Sequence, residues 1–115
     1  MTRGEVHCAD LTPRSGSERM GRRPVIVVSH DGFNQASAWR SAIVVPISTS
    51  SSQGKRGSTA VEIPGGAAGL PKTSSALCHR VTTLDRAKLT GRVGSLPADL
   101  VRGVEEGLKA ALDLD

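Results

Sequence analysis

Aromatic side chains are nearly absent from this chain. Its 115 residues include one Phe (Phe33), one Trp (Trp39) and no Tyr. The core must therefore be aliphatic, built from Val, Leu, Ile and Ala. The aromatic platforms on which single-strand nucleic-acid modules stack bases are also lacking, so any RNA contact has to rest on charge and hydrogen bonding. Cysteine is scarce too: Cys8 and Cys78, far apart in sequence, make neither a disulfide framework nor a zinc set. Both fall in predicted strands and read as reduced, buried thiols. No apolar run long enough to cross a bilayer, no signal peptide and no lipidation motif is visible, and the expectation is a cytoplasmic protein. P-loop, dinucleotide-fingerprint, HExxH and GxSxG patterns are missing. His7, His30 and His79 are not at metal-ligand spacing, so no metal and no other cofactor is expected.

What is present fits one compact domain spanning 1–115. At 37% hydrophobic and 23% charged residues, the chain can bury a core and has no signature of disorder. Fifteen Lys and Arg against eleven Asp and Glu give a formal charge of +4, a mild bias toward polyanions. The arrangement says more than the total. Arg14, Arg19, Arg22 and Arg23 lie in one short stretch, and Lys55 and Arg56 form a second basic point. Asp99, Glu105, Glu106, Asp113 and Asp115 gather near the C-terminus.

Glu5 to Leu11 alternates as a first strand. Thr12 to Met20, rich in Pro, Gly, Ser and Arg, reads as a mobile hairpin loop. Pro24 to Ser29 and Ala42 to Ile47 are apolar runs expected to be buried strands, joined by a polar connection with one helical turn near Phe33-Asn34-Gln35. Gln53 to Ser58 reads as a second flexible loop, Thr59 to Ile63 as a strand and Pro64 to Gly69 as a turn. Ser75 to Leu84 reads as one longer strand, with Leu77, His79 and Val81 on one face. Thr90 to Gly94 reads as a short closing strand. From Ala98 the period becomes helical, with Leu100, Val101, Val104, Leu108 and Leu112 on one stripe; Gly103 and Gly107 leave a smooth face for close packing on a sheet. These elements predict a mainly β (α+β) fold, a small antiparallel barrel with a C-terminal helix.

The chemistry-bearing candidates cluster around the second and third strands. Arg23 precedes Pro24, which holds its backbone extended, and it leaves from the start of a buried strand. Its forked, permanently charged guanidinium suits phosphate oxygens; the alternative is a surface arginine paired with Glu18 or Asp31. Ser48 and Thr49 end the next buried strand, where hydroxyls can donate to a phosphate; the alternative is an ordinary Ser-rich loop through Ser52. Glu18 is a candidate carboxylate base or a partner for an arginine. His79, beside Arg80, is the histidine with most reason to face a cleft.

Taken in order, Arg3-Gly4-Glu5-Val6, Leu11-Thr12-Pro13, Gly16-Ser17-Glu18, Gly21-Arg22-Arg23-Pro24-Val25-Ile26-Val27-Val28-Ser29, Asp31 to Asn34, Val44-Val45-Pro46-Ile47-Ser48-Thr49, Gly69-Leu70-Pro71-Lys72, Ser74 to Leu77, Thr83-Leu84-Asp85 and Gly91-Arg92-Val93-Gly94 resemble the MazF/PemK family of toxin endoribonucleases. The resemblance covers almost the whole chain. It implies an SH3-like antiparallel barrel with a C-terminal helix, working as a homodimer that cuts single-stranded RNA at short sequences without metal. The implied ends are a 2′,3′-cyclic phosphate and a 5′-hydroxyl, and the implied inhibitor is a cognate antitoxin with an acidic tail. By this match Arg23 and Ser48 are the catalytic arginine and hydroxyl, and Glu18 is a loop carboxylate implicated in activity. Arg22, Thr49, Lys55, Arg56, His79 and Arg80 are the candidate RNA-binding residues. His7 departs from the aromatic residue usual after Glu-Val, and Arg80 from the usual Gln. A second reading, a non-catalytic binder on the same barrel such as a CcdB-like gyrase poison, is disfavoured because that type acts through a C-terminal Trp motif and this chain ends Ala111-Leu112-Asp113-Leu114-Asp115. A third is a family member that binds without turnover.

Overall fold

The computed structural model describes residues 1–11, 21–49 and 57–114. Among the described residues seven strands form the sheet: β1 (Glu5–Leu11), β2 (Gly21–Val27), β3 (Ser41–Ser48), β4 (Ala60–Ile63), β5 (Ser74–Leu77), β6 (Thr82–Asp85) and β7 (Leu89–Ser95). The same residues hold two α-helices, α1 (Asp31–Asn34) and α2 (Ala98–Leu112), and short 3-10 turns. The strands lie in the order β4-β5-β3-β2-β1-β7, with β6 also paired to β3, and the ladders among them are antiparallel.

Among the described residues the sheet does not close by hydrogen bonds; β4 and β7 are its ends. The 3-10 turn Ala67–Gly69, which follows β4, packs on β7 instead. The approach is so close that a Cβ on Gly94 would strike the Ala68 carbonyl oxygen, and one on Gly69 would strike that of Val93. Gly69 also has φ +76°, which L side chains avoid. The barrel expected from the sequence is thus an open sheet whose two ends meet through a glycine-lined turn contact.

Alternation along the strands divides the side chains between two faces. Val6, Ile26, Val45, Ile47, Ile63 and Ala76 point into the main core, where Val104 of α2 meets them. On the other face Ala9, Val25, Ala42 and Val44 form a second cluster with Leu11, Leu84 and Leu89. Helix α2 seats its glycines on β4: a Cβ at Gly107 would lie 2.7 Å from Cys78 Sγ and 2.9 Å from Val61 Cγ2, and one at Gly103 3.3 Å from Val61 Cγ1. Arg3 ties the N-terminus to this layer, donating to Glu105 at 2.8 Å and to the Val28 carbonyl at 3.1 Å. Among the described residues no helix is long and apolar enough to cross a membrane.

The single strand expected over Ser75 to Leu84 is two strands separated by a 3-10 turn at Cys78–Arg80. The chain must leave one partner region of β3 and rejoin another: β5 pairs with Ile47 and Ser48, β6 with Ser41 to Val44. The turn makes that step, and the assignment of Leu77, His79 and Val81 to one strand face fails there. Strand β2 begins three residues earlier than Pro24 because Leu11↔Gly21, Asp10↔Arg22 and Ala9↔Arg23 extend its ladder with β1. Ile43, expected in a buried strand, is 42% exposed. Cys8 is half-buried and only Cys78 fully buried; both are free thiols.

Candidate active site

The ladder between β2 and β3 joins Val27↔Val44, Ile26↔Val45 and Val25↔Pro46. Carried two residues further along both strands, that register sets Arg23 opposite Ser48. Residues directly opposite in an antiparallel pair project from the same face, here the one away from α2. Ser48 is 8% exposed and pairs on its other side with Ser75 of β5, also 8% exposed. Arg23 and Ser48 thus stand at one end of the sheet, on adjacent strands and on one face.

Arg23 is half-buried, and its Nε is a buried donor without a hydrogen-bond partner among the described residues. Buried polar groups in native proteins are almost always partnered, so an orphan of this kind needs an explanation. The other such nitrogen among the described residues, Arg86 Nε, belongs to a guanidinium already in use: Arg86 donates to the carbonyls of Phe33 at 2.7 Å, Asn34 at 2.6 Å and Ala36 at 3.2 Å, clamping the end of α1. Among the described residues Arg23 has no comparable engagement. Asp31, one of its two conceivable partners, is committed elsewhere, accepting from the Arg3 amide at 2.7 Å and from Asn34 Nδ2 at 3.0 Å. Those two bonds hold the Asp31 carboxyl below its usual pKa.

The other candidates separate. Arg22, one residue from Arg23, projects from the opposite face, where its cross-strand neighbour is Asp10; both are exposed. Thr49 is exposed directly after β3. His79 and Arg80 are exposed on the 3-10 turn that packs against α2, beyond the end of β5 opposite to Ser74 and Ser75. The structure does not gather them with Arg23 and Ser48. Glu18, Lys55 and Arg56, with the two loops expected over 12–20 and 53–58 in large part, lie outside the described residues. His7 and His30 are structural: His7 Nε2 meets Glu5 Oε1 at 2.9 Å, and His30 Nδ1 accepts from the Gly32 amide at 2.8 Å as the cap of α1. Burial alone would raise the Glu5 pKa, but the His7 bond, the Thr2 amide and nearby positive charge outweigh it, and the net shift is downward. Among the described residues no three His, Cys, Asp or Glu side chains group as a metal-ligand set.

The two aromatics sit far from this end. Phe33 and Trp39 stack with centroids 4.6 Å apart, each 45% exposed, and Trp39 borders a shallow depression with Arg40, Ser41, Thr83 and Asp85. Ser41 and Ser48 are opposite ends of β3, about 23 Å apart at strand rise. The depression therefore does not belong to the Arg23–Ser48 surface. What the sequence reading missed is Ser75 and, across β4, Glu62, which pairs with it. Alternation carried part of the signal: Val61 and Ile63 face the core, so Glu62 between them must face outward.

A small open antiparallel sheet with one packed helix defines a class of compact β proteins. Comparison with known proteins narrows the class. Residues 2–112 match the model of the PemK-like, MazF-like toxin of type II toxin-antitoxin systems. The chain is 34% identical over 114 residues to endoribonuclease MazF6 of Mycobacterium tuberculosis H37Rv, covering 99% of this chain and 98% of that one. It is 37% identical over 112 residues to endoribonuclease EndoA of Bacillus subtilis strain 168, covering 97% and 94%. Among solved structures, the Mycobacterium tuberculosis toxin MazF-mt6 superposes with a TM-score of 0.77 at 25% identity over 96% of this chain and 98% of that one. An endoribonuclease in complex with its cognate antitoxin, from a mycobacterial species, shares the fold with a TM-score of 0.77 at 23% identity, over 98% and 95%. The chain belongs to the PemK-like, MazF-like toxin family.

Proposed function

We propose that this protein is an endoribonuclease toxin that cuts single-stranded RNA through its ribose 2′-hydroxyl, without a metal ion, and that a cognate antitoxin holds it inactive. The observation that carries the reading is the β2–β3 register, which, carried two residues beyond Val25↔Pro46, brings Arg23 opposite Ser48. The orphaned Arg23 Nε supports it. The relatives named as endoribonucleases match nearly the whole chain.

In the proposed reaction the 2′-oxygen of one nucleotide loses its proton to a base and attacks the adjoining phosphorus. The bond to the 5′-oxygen of the next nucleotide breaks, and that oxygen takes a proton as it leaves. The products are a 2′,3′-cyclic phosphate and a 5′-hydroxyl. Negative charge accumulates on the two non-bridging oxygens, and Arg23, fixed by its strand, neutralises it. Ser48, with Thr49 beside it, adds a hydrogen bond that strengthens as the charge grows. A preorganised donor at such a position contributes about 3–4 kcal/mol. Glu18 is the proposed base; His79, on the turn beyond the far end of β5, lies too far along the sheet from Ser48 for that step. Lys55 and Arg56 supply the positive field that holds the RNA backbone, and Arg80 with His79 contacts it further along. The working unit is proposed to be a homodimer, its groove occupied by the acidic C-terminal tail of the antitoxin in the inhibited state. The gyrase-poison alternative gains no support from the relatives matched.

The test is to incubate the protein with a long RNA in EDTA and map the new ends. Cuts at a recurring short sequence, with cyclic-phosphate and 5′-hydroxyl termini, are expected. One 2′-deoxy substitution at the cut position should protect the strand. Cleavage of the deoxy-substituted strand would exclude the nucleophile; dependence on added metal would exclude the mechanism.

A further inference from the structure

Four strands contribute one residue each to a row that crosses the sheet. Glu62 on β4 pairs with Ser75 on β5, and Ser75 pairs with Ser48 on β3. The β2–β3 register, carried on, adds Arg23. Their strand neighbours Ile63, Ala76 and Ile47 all enter the main core, so these four project together from the opposite face. The row is polar along its length and charged at its two ends, positive at Arg23 and negative at Glu62. Glu62 is exposed, and among the described residues its carboxylate has no hydrogen-bond or ion-pair partner. Its position is fixed from behind: Val61 sits in the glycine-lined groove of α2, and Ile63 is fully buried.

We infer that Glu62 is a specificity-determining residue, whose carboxylate reads the hydrogen-bond donors on a nucleobase beside the scissile phosphate. This rests on the endoribonuclease reading. The spacing selects the role. Adjacent strands lie about 4.8 Å apart, so the Glu62 backbone is about 10 Å from that of Ser48 and about 14 Å from that of Arg23. A base acting on the 2′-hydroxyl must come within about 3 Å of it, and that hydroxyl lies against the phosphorus gripped at Arg23 and Ser48. Glu62 is too far along the row for that task. With the phosphate at the positive end, the ribose and ring of one nucleotide extend over Ser75, and the edge of the base reaches the carboxylate. The opposite polarity is forbidden, because a phosphate beside a carboxylate is repelled.

A carboxylate only accepts hydrogen bonds, so it selects for donors. Guanine offers two parallel donors on its Watson–Crick edge, which is free in single-stranded RNA, and matches both carboxylate oxygens. Uracil, adenine and cytosine each offer fewer donors in that arrangement. Guanine is therefore the base assigned to this position. A matched two-point contact of this kind discriminates by roughly tenfold to a hundredfold.

The experiment compares wild type, Glu62→Gln and Glu62→Ala on a set of short RNAs in which each position flanking the cut carries each of the four bases in turn, reading kcat/KM for every one. Wild type is expected to favour guanine at one flanking position by tenfold or more. Both variants should lose that preference while cutting the other three bases there at rates within a few-fold of wild type. Glu62→Gln, of the same size, separates loss of charge from loss of shape. A base profile in both variants identical to that of wild type overturns the inference and leaves the proposed function standing. A wild-type protein that cuts none of the RNAs overturns the proposed function and this inference with it.

Discussion

Helix α2 holds β4, and with it Glu62, through a contact that one methyl group should break. A Cβ at Gly107 would stand 2.7 Å from Cys78 Sγ and 2.9 Å from Val61 Cγ2. Ordinary contacts between such atoms fall near 3.5–4.0 Å, so the shortfall is about 1 Å on two sides. Gly107, Val61 and Cys78 sit between a helix and a sheet with the Cys78 thiol fully buried, and neither side can yield without displacing the other. Overpacking of this sort costs about 1–3 kcal/mol, against about 1 kcal/mol gained when Ala replaces Gly in a helix. Gly107→Ala should therefore be destabilised by about 1 kcal/mol net, combining the two effects. Gly103, one turn earlier, is the internal control. Its Cβ would lie 3.3 Å from Val61 Cγ1 alone, a shortfall of a few tenths of an ångström that one side chain can absorb. Gly103→Ala should then keep most of the propensity gain and be stabilised by up to about 1 kcal/mol. At fixed protein concentration the two variants should melt about 4–8 °C apart, on either side of wild type. Adding Cys78→Ala to Gly107→Ala removes one of the two obstructing atoms, and the double variant should be more stable than the sum of the single effects predicts. A Gly107→Ala variant that melts as high as Gly103→Ala would refute the close packing of α2 on β4.

Two further outcomes follow from ionisation. The folded Glu5 carboxyl titrates below its ordinary value of 4.5, so the unfolded chain binds the proton more readily. Its stabilising contribution is full above that ordinary value and is lost as pH falls through the lower, folded one. Stability measured from pH 6 down to pH 3 should fall less steeply in Glu5→Gln than in wild type, and parallel curves would exclude the assigned role of the His7 contact. Burial raises the Cys78 thiol to a pKa of about 11, leaving roughly one thiol in a thousand ionised at pH 8. Alkylation of the native protein at that pH, followed by peptide mapping, should mark Cys8 and spare Cys78 until the protein is unfolded; equal labelling would contradict the burial.

Period and punctuation carried most of the architecture. The alternation of Glu5 to Leu11 gives β1 with its bounds intact, and the heptad-like stripe from Ala98 gives α2. These are local signals, set by which side chains must face a core. The break at Cys78–Arg80 was not legible because nothing in Ser75 to Leu84 interrupts a strand pattern; the turn exists because β5 and β6 share β3 as partner, a tertiary demand. The opposed faces of Arg22 and Arg23 were legible from alternation, yet their adjacency in sequence suggested one basic site. Glu62 escaped notice for a related reason. Its relation to Ser48 runs through Ser75, across two ladders whose registers no single segment encodes. The open edge between β4 and β7 lies at the same level, since turn-to-strand contact at Gly69 and Gly94 depends on both ends of the sheet being in place.

The cleavage rate of Arg23→Ala on a short RNA in EDTA, measured beside Arg22→Ala, bears most directly on the whole account. Removal of the guanidinium on the Ser48 face should slow cutting by at least about a hundredfold, with the melting temperature held. Removal of the neighbouring one on the opposite face should leave turnover within a few-fold of wild type. An Arg23→Ala protein that cuts as fast as wild type would show that the groups facing each other across β2 and β3 do not perform the reaction.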